Sequence, residues 1–178
     1  CLNEHKRLAG SIFSEVTQSS YSKTPDVDDM NSFKQMFNAI QELVSEGKIL
    51  ALHDVSDGGL LTSLLEMAFT KKVGLDIVIN DLDVKDLNSY FFAEEVGLVL
   101  QVNKVYLDEV AKVITSAGSI ANIIGNISVT KEFSIGNCDS QLYKESIVVL
   151  EKNWRETTHA IQAMRDNQSI ADSELALL

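Results

Sequence analysis

The chain has 178 residues, 45% of them apolar and 23% charged, which fits one globular domain able to bury roughly 70% of its unfolded surface without disulfides or a structural metal. Its 26 acidic against 15 basic side chains leave a formal charge of −11, which argues against duplex nucleic acid or an anionic membrane surface as partner. The longest apolar runs, such as Ile147 to Leu150, fall far short of the roughly 20 residues a membrane span needs, and no signal-peptide pattern opens the chain.

The pattern predicts a short helix over residues 9–18, then a polar connection from Ser19 to Asp29 that holds the only proline. From Met30, the residues Phe33, Met36, Phe37, Ile40, Leu43 and Val44 recur at helical spacing up to Gly47, so a core-facing stripe is expected. Ile49 to His53 reads as a strand, Asp54 to Gly59 as a glycine turn, and Leu60, Leu61, Leu64, Leu65 and Ala68 as a second amphipathic helix. A strand over 73–79, a short helix over 84–93 and a strand over 97–102 follow. Val105 to Ala117 outline a further helix closed by Gly118. Strands are expected over 120–127, 132–135 and 141–143, and a last helix begins after Ser146 with Leu150, Trp154, Ile161 and Met164. Beyond Asp166 the periodicity fades, so residues 1–166 are read as one domain and 167–178 as a frayed tail or linker. Helices and strands alternate without a strict βαβ repeat, which points to α+β layers.

Cys1 and Cys138 make no C-x-x-C pair and lie far apart, so neither a redox motif nor a zinc site is indicated; two incidental thiols in a reducing cytoplasm are expected. The opening Cys-Leu-Asn-Glu-His-Lys-Arg carries neither a cap nor a hydrophobic pattern, and suggests a piece of a longer polypeptide.

One constellation rises above the background: His53-Asp54-Val55-Ser56-Asp57-Gly58-Gly59, at the carboxyl end of a strand and the amino end of a helix. Free backbone N–H groups and the positive end of the helix dipole favour an anion there, and glycines allow a ligand close to the backbone. Two carboxylates would repel a bare phosphate, so a phosphate reading requires a hard cation between them. Mg²⁺ suits this, because it takes one or two carboxylates and completes its shell with water and phosphate oxygens. Asp54 is then the metal ligand and Ser56 a hydroxyl donor to phosphate, against the plainer reading that Ser56 or Asp57 merely caps the helix. His53 is a weaker acid–base candidate, more simply packed or hydrogen-bonded. Glu94 and Glu95 either add a carboxylate to a metal site or form a solvated turn, and Arg7-Leu-Ala-Gly-Ser11 is a second, weak anion signature.

These residues bear a family resemblance. His53 to Leu61 with Leu65-Glu-Met-Ala-Phe69, together with Arg7 to Ser11, Phe92 to Val102, and Trp154-Arg-Glu-Thr-Thr with Met164-Arg-Asp-Asn, resembles the second AIR-synthetase-type carboxyl-terminal domain of the large, single-chain phosphoribosylformylglycinamidine synthases. The resemblance implies a three-layer α/β/α fold with a mixed sheet and flanking helices. It implies part of a cytoplasmic enzyme that uses ATP to activate the amide oxygen of formylglycinamide ribonucleotide, with ammonia from glutamine displacing the phosphate. It also implies ATP or ADP and Mg²⁺ as cofactors, with Asp54 on the metal and Ser56 on the nucleotide, at a site either catalytic or structural. Its partners would be the ATP-binding and glutaminase domains of the same parent chain, the fragment being inactive alone. The alternatives are a non-catalytic docking module and a domain of another ATP-using enzyme of the superfamily, such as AIR synthetase or selenophosphate synthetase.

Overall fold

The computed structural model describes residues 5–79, 87–137 and 140–177; Cys1 and Cys138, and the expectations placed on them, lie outside these. The chain divides into two compact units, one drawn from residues 5–67 and 87–123 and the other from 68–79, 124–137 and 140–177.

In the first unit, α1 (Ile12–Val16) begins where the Ser11 hydroxyl accepts the Ser14 N–H. Helix α2 (Met30–Ser45) begins at Asp29, whose carboxylate accepts the Asn31 N–H at 2.8 Å. Strand β1 (Ile49–Asp54) pairs antiparallel with β3 (Leu98–Val102), in a register that sets Asp54 opposite Leu98 and His53 opposite Val99. Helices α3 (Gly59–Phe69) and α4 (Leu87–Phe92) lie between them in sequence, and α5 (Leu107–Ser116) follows β3 through a 3-10 turn. Met36, Ile40 and Leu43 form one core with Val110 and Ile114, and Phe33, Ile49, Leu98, Leu100 and Val102 pack against it. The buried stripe of α2 is therefore narrower than its sequence suggests: Phe37 and Val44 are exposed. Phe13 stacks on Phe92 with ring centroids 4.7 Å apart, fastening α1 to α4.

In the second unit, β2 (Gly74–Val78), β4 (Gly125–Ser128), β5 (Glu132–Gly136) and β6 (Gln141–Ser146) form one sheet in the order β4-β2-β5-β6. The β2–β5 pair is parallel and the other two are antiparallel, so the sheet is mixed. Leu75, Ile77, Phe133 and Ile135 alternate inward at the strand period of two. Helix α6 (Ile147–Arg165) buries Ile147 and Glu151, while Trp154, Ile161 and Met164 are exposed.

The α+β class and the mixed sheet with helices agree with the sequence reading, although the strands fall into two sheets. Two local expectations change. The strand expected from residue 120 begins only at Gly125. The segment expected to fray forms α7 (Gln168–Leu175), because Asn167 caps its first turn and Ala171 is buried. His159 Nε2 lies 3.1 Å from Asp172, and Gln162 donates to Glu174 at 3.0 Å, which ties α7 to α6. No helix among the described residues is long and apolar enough to cross a membrane.

Candidate functional site

The glycine turn begins where β1 leaves its partner: the Val55 N–H still reaches the Gly97 carbonyl at 2.9 Å, and the Gly59 N–H then closes on the Ser56 carbonyl at 2.9 Å. Both glycines adopt positive φ, +82° at Gly58 and +71° at Gly59. At Gly59 the requirement is also steric, since a Cβ would lie 2.6 Å from the Phe91 carbonyl oxygen. The fully buried Ser63 hydroxyl lies 3.0 Å from the Asp54 carbonyl and 3.1 Å from that of Gly59, tying the strand end to the first turns of α3.

On this backbone Asp54 and Asp57 are exposed and Ser56 is half-buried. The Asp54 side chain is 76% exposed, and His53 Nδ1 lies 3.6 Å from its Oδ1. The Ser56 hydroxyl and Asp57 carboxylate make no hydrogen bond among the described residues, so neither caps α3. His53 is occupied differently, with Nδ1 2.6 Å from the Asp54 carbonyl and Nε2 3.1 Å from Glu66 Oε2. Both ring nitrogens face groups of the chain itself, which fits a hydrogen-bonded residue rather than a free acid or base.

The two anion signatures are answered from within. Glu94 Oε1 accepts the Gly58 N–H at 2.9 Å and the Ile12 N–H at 3.0 Å. Glu95 is buried, and Arg7 grips it with Nε on Oε1 and Nη2 on Oε2, both at 2.7 Å. Arg7 also donates to Asp28 and to the Asp26 carbonyl. Its pKa is raised, first by the Glu95 hydrogen bonds and next by those to Asp28. Ser11 is buried and spends its hydroxyl on the Leu8 carbonyl and on capping α1. Neither Glu94 nor Glu95 is a solvated turn residue, and Arg7 has no idle donor fork for a ligand. The connection of Glu94 to Gly58 and the tie through Ser63 escaped the sequence reading, whose only hint was the acidic pair itself.

Among the described residues no group of three or more His, Cys, Asp or Glu side chains forms a metal cage. A magnesium ion carried by phosphates needs no cage, because it takes one or two carboxylates and keeps waters. The exposed Asp54 carboxylate, with only His53 Nδ1 near it at 3.6 Å among the described residues, and the Ser56 hydroxyl two residues on fit that kind of attachment.

The family described as AIR synthase related protein, C-terminal domain, matches residues 2–136. Among solved structures, the chain is similar to phosphoribosylformylglycinamidine synthase II from Thermotoga maritima, at 12% identity and a TM-score of 0.62 over 70% of this chain and 22% of that one. It is similar to T. maritima PurL complexed with ATP, at 13% identity and a TM-score of 0.63 over 70% of this chain and 22% of that one. Similarity extends to the HypE–HypF complex, at 19% identity and a TM-score of 0.53 over 79% of this chain and 48% of that one. These identities establish the fold alone. The chain spans about a fifth of the length of the PurL chains and about half of that in the HypE–HypF complex.

Proposed function

Because this chain belongs to the AIR synthase related family, as its C-terminal domain, we propose that it supplies one wall of a magnesium–nucleotide site in a phosphoribosylformylglycinamidine synthase of the large, single-chain type. The observation that carries this reading is that, at the end of β1, the Asp54 carboxylate faces solvent and, two residues on, the Ser56 hydroxyl makes no hydrogen bond among the described residues. Asp54 would hold the magnesium and Ser56 would donate to a phosphate oxygen, the chemistry such an ion supplies being the neutralisation of polyphosphate charge. Asp54 fixes where that charge is met, and Ser63, by tying the strand end to the helix start, keeps Asp54 and Ser56 on one rigid turn.

The parent reaction in this reading phosphorylates the amide oxygen of formylglycinamide ribonucleotide with ATP, and ammonia from glutamine then displaces phosphate to leave the amidine. This domain contributes nucleotide contacts, in a catalytic or a structural role. The ATP-binding and glutaminase domains of a longer cytoplasmic chain supply the rest, and segment 167–178 leads toward the glutaminase. The name of the T. maritima synthase and the ATP complex of PurL support the substrate class. The ordered motifs from Arg7 to Asn167 support the choice over other enzymes of the superfamily.

A thermal-shift titration with ADP and Mg²⁺ tests it. Ligand at a hundred times its Kd stabilises by about 2.7 kcal/mol, and that Mg²⁺-dependent shift should vanish in Asp54→Ala. Absence of the shift both in this chain and in the longer polypeptide that contains it would reject the nucleotide reading and leave a docking module.

A further inference from the structure

The strand-end turn has backbone N–H groups that need an acceptor, and the chain supplies one from 36 residues away. A single oxygen of Glu94 collects N–H donors from two separate segments, Gly58 at the entry to α3 and Ile12 at the entry to α1. The neighbouring Glu95 is buried and held by Arg7 through both carboxylate oxygens, which fixes the backbone from which Glu94 projects. Arg7 Nε and its own N–H both reach Glu95 Oε1, so the segment leading into α1 is secured to the same two residues. The segment from Arg7 to Ile12 and the glycine turn at Gly58 therefore meet at one acidic pair.

We infer that Glu94 is the positioning residue of the glycine turn: its carboxylate, rather than a ligand's phosphate, holds the Gly58 N–H and thereby sets the loop that presents Asp54 and Ser56. The consequence for recognition rests on the nucleotide reading above. With Gly58 committed to Glu94, a polyphosphate is met by the Asp54 and Ser56 side chains, not by the Gly58 amide. The acceptor oxygen of Glu94 matters more than its charge, since both partners are neutral N–H groups, so Glu94→Gln retains the function and Glu94→Ala loses it.

The test combines amide hydrogen exchange with calorimetric titration of ADP and Mg²⁺ on the wild-type chain, Glu94→Ala, Glu94→Gln and Asp54→Asn. In Glu94→Ala, the Gly58 and Ile12 amides should exchange about tenfold faster or more, and Mg·ADP should bind on the order of tenfold more weakly. Glu94→Gln should restore most of both. Asp54→Asn should lose Mg·ADP binding while its Gly58 amide stays protected, which separates the ligand group from the group that places it. Unchanged exchange in Glu94→Ala, faster exchange without loss of affinity, or no rescue by glutamine would each overturn the inference. If Glu94→Ala does not fold, Glu94→Asp, one methylene shorter, is read by the same two amides, and full protection there counts against it. If neither this chain nor the longer polypeptide that contains it binds Mg·ADP, the nucleotide reading falls, while the exchange data still decide whether Glu94 holds the turn.

Discussion

Arg7 and Glu95, 88 residues apart, are joined by two side-chain hydrogen bonds of 2.7 Å, and Glu95 takes a third from the Arg7 backbone N–H at 3.0 Å. The fork geometry matches guanidinium to carboxylate and is not reproduced by lysine. Breaking one partner of a buried pair leaves the other charge stranded. Arg7→Ala should therefore lower the Tm of the first unit by more than Glu95→Gln does, with Arg7→Lys falling between wild type and Arg7→Ala. Equal Tm values for wild type and Arg7→Ala would refute this account of the pair.

Two glycines of similar φ should respond differently to alanine. Gly47, at φ +69°, has open space where a Cβ would go, so Gly47→Ala should cost only the left-handed strain, roughly 1–2 kcal/mol. Gly59, at φ +71°, would set a Cβ 2.6 Å from the Phe91 carbonyl and 2.8 Å from backbone atoms of Phe92. Gly59→Ala should cost clearly more and erase any Mg·ADP-dependent thermal shift, as denaturant titration and the shift assay would show.

Asp29 caps α2, and its carboxyl is held below the ordinary 3.8, first by the Ser32 hydroxyl and next by the Asn31 amide. A depressed folded pKa contributes stability that is fully present above the unfolded value and lost as pH falls through the folded one. The stability gap between wild type and Asp29→Ala should stay constant from neutral pH to about pH 5 and close below 3.8, in urea titrations across that range.

Asn167 Oδ1 accepts the Ser169 N–H at 3.0 Å and the Ser169 hydroxyl at 2.7 Å, closing the first turn of α7. Asn167→Ala should cost about 1 kcal/mol. The loss should be local: amides of α7 should lose exchange protection while those of the β2–β5 pair keep theirs.

The elements were largely legible in the residues. The helical stripe of α2, the strand before Asp54 and the paired glycines are local signals, and each corresponds to an observed element. Local signals failed where one small contact decided the outcome. Helix α7 is anchored by Ala171 and a cap, too little apolar surface to register as a stripe. On α6 the spaced series of Trp154, Ile161 and Met164 is exposed, and burial falls on Ile147 and Glu151 instead.

By itself, the sequence determined the α+β class and the strand, glycine turn and helix around Asp54, because periodicity, backbone permissiveness and capping act over a few residues. Only the tertiary structure decided what fills the anion-seeking positions. Glu94 on Gly58 and Ile12, and Glu95 on Arg7, join residues 36 to 88 positions apart. No spacing rule reaches that far. Those pairings form because folding brings N–H groups and a guanidinium, costly to leave unpaired, within reach of the same two carboxylates.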